Sequence, residues 1–150
     1  MDWLWVLLVA VRVLSPSPDD QWAVRLAALD DVREQAFASA DASLLRDVYV
    51  EASAARRADA RLIAAYGRRG GRVVGAELRV LGCRVVRESR HRVRLDVVDQ
   101  LGPARVRWDD GTSTALPRDR PTRRTVTLAR EPGQDARWRI AGTRQAQDAG

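Results

Sequence analysis

The sequence offers few side chains suited to nucleophilic or metal chemistry. It contains one histidine, His91, and one cysteine, Cys83. A serine or cysteine nucleophile needs a base, so a site of that kind would depend on His91, which lies in the polar stretch RESRHRV, a predicted hairpin turn. A single cysteine excludes an internal disulfide and a zinc site built from several cysteines. We therefore predict no catalytic set, no metal and no cofactor, and interpret Cys83 as a structural thiol.

One carboxylate stands out by its position in the stretch VRLDVVDQL. Asp99 is separated by an even number of positions from the apolar residues Val93, Leu95 and Val97. Side chains two residues apart point to the same face of a strand, so Asp99 is predicted to point into the interior with them. The alternative is that Asp99 only caps the turn at QLGP. His91 lies eight residues earlier, roughly 27 Å away at ~3.4 Å per residue, so the two residues cannot form a dyad.

The elements that must position these residues begin with helices. Ser17 can cap a first helix over residues 18–39, and Pro18 suits its first turn. Asp41 then caps a short second helix, ASLLRDVY, and a third helix covers residues 54–66 until the glycines of GRRGG stop it. The first helix is expected to bury an apolar stripe and to expose its charged residues. Its predicted buried stripe is Trp22, Leu26, Leu29, Val32, Ala36 and Phe37, its predicted solvent face is Asp30, Asp31, Arg33 and Glu34, and the predicted buried face of the third helix is Ala58, Leu62, Ala65 and Tyr66.

From Arg72 onward the apolar pattern changes from a helical period to alternation. In RVVGAELRVLGCRVVRE the alternation changes phase between Val80 and Gly82, which predicts a β-bulge. Further alternating segments follow, separated by turn sequences such as DDGT and PGQD. An antiparallel sheet with one apolar face must be covered. We therefore predict an α+β fold, with three N-terminal helices packed in a curved antiparallel sheet of four to six strands.

The charge of the chain is strongly basic and unevenly distributed. There is no lysine, and all 26 basic residues are arginine. Residues 1–50 carry four arginines and eight acids, whereas the remainder carries 22 arginines and 12 acids. A basic half can attract polyanions, but alternating arginines also suit the solvent face of strands. Aromatic residues for base stacking are sparse and no nucleic-acid-binding motif is present, so nucleic acid is not the expected partner.

The N-terminus differs from the rest of the chain in composition, because its first residues, MDWLWVLLVAVRVLSPSP, include an apolar run. This run is too short to cross a bilayer, which takes about 20 apolar residues. Two interpretations stay open: residues 3–14 are the remnant of a signal or membrane anchor, or they form an apolar arm docked on the domain. We predict an N-terminal segment and linker over residues 1–18, one domain over residues 19–142, and a polar tail over residues 143–150.

Several motifs of the chain resemble those of a known superfamily. The motifs AFASADASLLRDVYVEAS, DARLIAAYGRRGGRV and VRLDVVDQLGP, with the ending RWRIAG, are similar to nuclear-transport-factor-2-like (cystatin-like cone) proteins. Within that superfamily the motifs look like those of uncharacterised actinobacterial domains that follow a signal or membrane helix. The resemblance implies a cone-shaped domain, and it implies an extracytoplasmic or membrane-anchored location rather than a cytoplasmic one.

The resemblance also implies where a ligand would bind. Members that do chemistry place polar residues inside the cone, which makes Tyr49, Tyr66, Asp99 and Trp108 the candidates for lining a pocket. The leading hypothesis is a non-catalytic binding or structural module of the cell envelope. The alternatives are a small isomerase- or cyclase-like enzyme that acts on an apolar substrate, with Asp99 as base, and a polyanion binder. Superfamily members often dimerise through the exposed sheet face, and the arginines on that face favour a monomer over a homodimer.

Overall fold

The computed structural model describes residues 16–133 and 136–146. The predicted N-terminal segment therefore lies outside the described residues, except for its end at Pro16–Pro18. The helices are α1 (Pro18–Ser39), a 3₁₀ helix (Ala42–Asp47) and α2 (Ala54–Arg68). The strands are β1 (Gly71–Val74), β2 (Leu78–Glu88), β3 (Arg92–Leu101), β4 (Arg105–Trp108), β5 (Ser113–Ala115), β6 (Thr122–Arg130) and β7 (Trp138–Gln145). Because β7 ends at Gln145, residues 143–145 of the predicted tail belong to the sheet.

The strands form two antiparallel sheets rather than one continuous sheet. A four-stranded sheet has the order β2-β3-β6-β7, and a three-stranded sheet has the order β1-β4-β5. The predicted continuous strand after Arg72 is interrupted at Gly75, whose φ of 74° belongs to the left-handed region. Glycine adopts that conformation without the steric penalty of a Cβ, so the chain can leave one sheet and enter the other. The predicted α+β cone is confirmed, but its wall consists of two sheets instead of one.

The predicted bulge in β2 is confirmed by the strand register. The pairing of β2 with β3 shifts between Val80 and Gly82, and shifts again between Val85 and Arg87. A third shift interrupts the pairing of β6 with β7 between Thr127 and Leu128. Each bulge bends the strand and increases its twist. The four-stranded sheet can therefore curl over α1 while its hydrogen bonding continues.

Helix α1 lies against the inner face of this sheet and begins where the sequence predicts. The Ser17 hydroxyl accepts a hydrogen bond from the backbone N–H of Asp20 at 3.2 Å, and the Asp19 carboxylate accepts one from the backbone N–H of Val85 in β2 at 2.8 Å. Trp22 packs edge-on against Trp138 of β7, with ring centroids 4.8 Å apart. The start of α1 is thus fixed to both edge strands of the sheet.

The junction between α1 and the 3₁₀ helix lies at Ala40 and Asp41. Ala40 is left-handed, with φ of 55° and ψ of 34°, and the N–H of Asp41 donates to the carbonyl of Ala36 at 2.9 Å. The Asp41 carboxylate then accepts from the backbone N–H of Ser43 at 2.9 Å. The predicted capping role of Asp41 is confirmed. Beyond the 3₁₀ helix, Tyr49 pairs with Ile140 as a parallel bridge, which ties this segment to the edge of β7.

Candidate polar site inside the cone

Charged side chains lie among the apolar residues at the centre of the cone. We call Asp30, Arg33, Tyr49, Asp59, Asp99 and Arg124 the interior cluster; they come from α1, the segment after the 3₁₀ helix, α2, β3 and β6. Asp30, Asp59 and Asp99 are only 4%, 7% and 2% exposed. A buried charge is costly unless it is paired and hydrogen-bonded, so the partners of each carboxylate decide what the cluster can do.

One half of the interior cluster is fully paired. Arg33 holds Asp59 with two hydrogen bonds, from Nε to Oδ2 at 2.6 Å and from Nη2 to Oδ1 at 3.0 Å. The Tyr49 hydroxyl donates to the same Oδ2 at 2.7 Å. Burial raises the pKa of Tyr49 above its ordinary range, against the influence of the Arg33 charge. Burial lowers the pKa of Arg33, but the hydrogen bond and charge of Asp59 raise it by more. This half is a locked ion pair, suited to holding α1 against α2.

The other half of the interior cluster is incompletely paired. The Arg124 Nε donates to Asp99 Oδ2 at 2.5 Å, while Arg124 Nη2 lies 4.0 Å from Asp30 Oδ2. That separation is an ion pair but too long for a hydrogen bond. Both oxygens of Asp30 and the Nη2 of Arg124 have no hydrogen-bond partner among the described residues. The described side chains therefore leave the hydrogen-bonding capacity of these three buried atoms unused.

The protonation of Asp30 follows from its surroundings. Burial raises the pKa of Asp30 from 3.8 to about 7, and the nearby Asp99 and Asp31 carboxylates act in the same direction. The charges of Arg124 and Arg33 lower the pKa of Asp30, but by less than burial raises it. Near neutral pH, Asp30 can thus exist in both forms. A buried carboxyl group with such a pKa can both donate and accept a proton, as general acid–base chemistry requires.

A cavity of about 270 Å³ opens onto the interior cluster. Its polar wall includes Asp30, Arg33 and Arg124, and its apolar wall includes Ala55 and Leu78. The volume is slightly below the ~300 Å³ at which pockets for drug-sized ligands begin. Its complete lining is Asp30, Arg33, Tyr49, Ala55, Ala58, Asp59, Leu78, Arg124 and Thr143. The cavity can therefore take a small molecule with both polar and apolar parts.

The four candidates from the sequence are divided between this site and other parts of the fold. Tyr49 lines the cavity, and Asp99, buried in the core as its strand parity predicts, reaches it through Arg124. Tyr66 is half-buried and packs against the core. Trp108 donates from its indole Nε1 to the Thr114 hydroxyl at 2.9 Å. A ligand contact for any of the four stays a prediction.

Helix α1 carries two cluster residues that the sequence assigned to the wrong face. Asp30 is buried and Arg33 is half-buried, although both were predicted to face solvent. Positions 22, 26, 30, 33 and 37 are spaced by four and three, which is the spacing of one helix face. The signal was therefore present as a stripe that continues from Trp22 to Phe37 through two charged residues. This stripe was missed because charged residues were assigned to the solvent face.

The predicted buried face of α2 was wrong by about one position. Asp59 and Ile63 are buried, whereas Leu62 is 48% exposed. Ala55, Asp59, Ile63 and Tyr66 are spaced by four and three, so they form a face of their own. That face includes a carboxylate, and Arg33 compensates it from the neighbouring helix. Asp59 is thus compensated by Arg33 of α1 and by the Tyr49 hydroxyl, both of which come from outside α2.

The outer face of the four-stranded sheet holds a second, basic recess of about 930 Å³. Asp96 lines this recess and accepts hydrogen bonds from Arg84 and Arg123. These hydrogen bonds lower the pKa of Asp96 to about 2. The arginines that line the recess are Arg84, Arg87, Arg92, Arg94 and Arg144, and Asp96 is the one acid in its lining. The recess is therefore positively charged.

The described residues contain neither a metal-binding cluster nor a membrane-spanning helix. No group of three or more His, Cys, Asp or Glu side chains in residues 16–133 and 136–146 could hold a metal ion. In the same part of the chain, no helix combines the length and apolar character needed to cross a bilayer.

Comparison with known proteins shows the fold. No family model and no curated protein matches the sequence. Among solved structures, the chain is similar to the intermembrane space region of the chloroplast protein ARC6, with a TM-score of 0.57 and 10% identity over 89% of this chain and 100% of that one. It is similar to the protein Aln2 from a Streptomyces species, with a TM-score of 0.52 and 15% identity over 89% and 93% of the two chains. It is also similar to a nuclear-transport-factor-2-like superfamily protein from Salmonella enterica, with a TM-score of 0.50 and 10% identity over 87% and 94%. At these identities the likeness concerns the fold alone: the chain has the cone fold of nuclear-transport-factor-2-like proteins.

Proposed function

We propose that the chain is a binding module that takes a small molecule into the cavity beside the interior cluster. The observation that carries this proposal is the half-paired state of Asp30 and Arg124 at the wall of a cavity that also has apolar surface. A concave site with apolar walls and a few convergent polar groups is the usual form of a ligand pocket. The ligand is expected to be smaller than a typical drug and to offer hydrogen-bonding groups at one end.

A pair of substitutions in α2 tests whether the cavity binds ligands. Ala58 and Ala64 are both exposed on α2, but only Ala58 lines the cavity. Ala58→Phe should occupy much of the cavity without removing any residue of the ion pairs, and Ala64→Phe is the matched control. Compounds found by ligand-observed NMR should bind the wild type and Ala64→Phe, and should lose at least tenfold in affinity for Ala58→Phe. Equal binding to all three proteins would refute a site in the cone.

The envelope location is a separate part of the proposal. It is supported by the apolar stretch at residues 3–14 and by the resemblance to domains that follow a signal or membrane helix. The similar region of ARC6 is an intermembrane space region, so this fold occurs between membranes in at least one other protein. Expression of the full chain, followed by cell fractionation, should place it outside the cytoplasm or at a membrane. Wholly cytosolic protein would contradict this location.

An isomerase- or cyclase-like enzyme is the second candidate, and the pKa of Asp30 favours it. The sequence pointed to Asp99 as the base, but the Asp99 carboxylate is held by Arg124 at 2.5 Å. Asp30 has two unpartnered oxygens among the described residues and a pKa of about 7, which suits proton transfer near neutral pH. If a bound compound is converted, Asp30→Asn should retain binding and lose turnover by about 10²-fold or more. Conversion at the wild-type rate by Asp30→Asn would exclude this role.

Polyanion binding through the outer basic recess is the third candidate. Five arginines and a single acid line the recess, and that acid is already compensated by Arg84 and Arg123. Affinity for heparin or RNA should fall steeply with salt, and Arg94→Gln should weaken it more than Arg61→Gln on the exposed side of α2. The candidate fails if neither polymer binds at about 50 mM salt.

A further inference from the structure

We infer that the cavity selects a neutral carboxamide carried on a small apolar group, with the amide seated between Asp30 and Arg124. This inference rests on the binding function proposed above and names its ligand class. The atoms that carry it are the two oxygens of Asp30 and the Nη2 of Arg124, which have no hydrogen-bond partner among the described residues. Asp30 is 4% exposed and lines the cavity.

The hydrogen-bonding pattern of these three atoms matches a primary carboxamide. An ionised Asp30 offers two acceptors, and Arg124 Nη2 offers donors. A primary amide supplies the complement, with two N–H donors and a carbonyl oxygen that accepts. The 4.0 Å between Asp30 Oδ2 and Arg124 Nη2 is too long for a direct hydrogen bond. An amide can span it by donating to the carboxylate and accepting from the guanidinium.

The charges of the interior cluster favour a neutral group over an ion. When Asp30 is protonated, Arg33 and Arg124 balance Asp59 and Asp99, so a bound anion would add an unbalanced buried charge. A bound cation would compensate an ionised Asp30, but it would lie near Arg124 and leave the Nη2 donor unsatisfied. An amide leaves both existing ion pairs unchanged. It can also pair with either form of Asp30, because the protonated acid donates to the amide carbonyl and accepts from its N–H.

The remaining wall determines what the amide is attached to. Ala55, Ala58 and Leu78 add apolar surface to the lining of the cavity. The volume of about 270 Å³ limits the ligand to a small ring or a short branched chain. Benzamide is a suitable probe, because its ring can lie on the apolar wall while its amide faces the interior cluster.

Three compounds of nearly equal shape test the inference. Benzamide presents one acceptor and two donors, benzoate presents only acceptors and a negative charge, and benzamidinium presents only donors and a positive charge. Affinities for the wild-type protein would be measured by NMR titration at pH 6 and pH 8. We expect benzamide to bind at least tenfold more tightly than either ion at both pH values. If benzoate or benzamidinium binds as tightly as benzamide at either pH, the inference is wrong.

Substitutions at neighbouring positions identify the contact. Asp30→Leu removes both acceptors while keeping the number and branching of the side-chain heavy atoms, and it should lower benzamide affinity at least tenfold. Asp31→Asn changes the exposed neighbour and should leave the affinity within twofold. Benzamide binding that survives Asp30→Leu would overturn the inference. If none of the three probes binds, but other compounds bind in a manner blocked by Ala58→Phe, the ligand class is wrong and the binding function stands. If no compound is blocked by Ala58→Phe, the binding function fails as well.

Discussion

Replacing Asp30 with asparagine should stabilise the protein at neutral and alkaline pH. Burial raises the pKa of Asp30 to about 7 in the folded protein from an ordinary value of 3.8. In the unfolded chain the carboxyl group ionises at the lower value, so between pH 4 and pH 7 folding must take up a proton at Asp30. The stability of the wild type therefore falls as the pH rises through this window, and the penalty is constant above it.

The size of the effect follows from the two pKa values. They differ by about 3, and each unit corresponds to ~1.4 kcal/mol, so an ionised Asp30 costs about 4 kcal/mol above pH 7. The amide of Asp30→Asn has nearly the same shape and does not titrate. The stability of Asp30→Asn relative to the wild type should consequently increase by about 3 kcal/mol between pH 4.5 and pH 8.

Urea denaturation of both proteins at several pH values measures this difference directly. Other titrating groups contribute equally to the two proteins and cancel in the comparison. Asp31→Asn is the matched control, because Asp31 is the exposed neighbour of Asp30 in α1; its stability should run parallel to that of the wild type. A constant difference between Asp30→Asn and the wild type across the pH range would mean that Asp30 is ionised throughout and that burial does not raise its pKa.

Three further substitutions test the packing. Arg33→Met should destabilise the protein by about 3–5 kcal/mol in urea denaturation, because it leaves the buried Asp59 carboxylate without its bidentate partner. Ala40→Gly should stabilise it by about 0.5–1 kcal/mol, since glycine adopts the left-handed conformation at the end of α1 without the steric cost of a Cβ. Gly71→Ala should destabilise it by about 1–3 kcal/mol, because the added Cβ would lie 2.7 Å from the Trp108 ring; thermal unfolding would show a lower Tm.

Each of these substitutions has a control that separates the proposed cause from a general effect. Arg33→Met combined with Asp59→Leu should recover most of the lost stability, because an apolar pair replaces the buried charges. Ala28→Gly, in the middle of α1, should destabilise the protein by about 1 kcal/mol. Gly67→Ala should be tolerated, since no atom lies within 4 Å of the added Cβ. If Gly67→Ala and Gly71→Ala lower the Tm equally, contact with Trp108 is not the cause.

The order of elements could be predicted from the sequence because it depends on local interactions. The start of α1 follows from the Ser17 cap, and its end at Ser39 precedes the cap at Asp41. The bulge at Val80–Gly82 follows from a phase change in alternation, because successive side chains of a strand must point to opposite faces. The inward direction of Asp99 follows from the same parity rule. These features involve residues close in the chain, so their patterns appear directly in the sequence.

The tertiary structure alone decided which charges are buried. Asp30 and Arg33 lie on the apolar face of α1, and the groups that compensate their charges are Arg124 of β6 and Asp59 of α2. Both partners come from elements distant in the sequence, so no local sequence pattern indicates them. Two sheets arise instead of one because Gly75 lets the chain turn away after β1, and that choice depends on pairing with β4. Whether a charged side chain can be buried depends on partners that are distant in the sequence. The sequence therefore predicted the cone, but only the structure showed its polar interior.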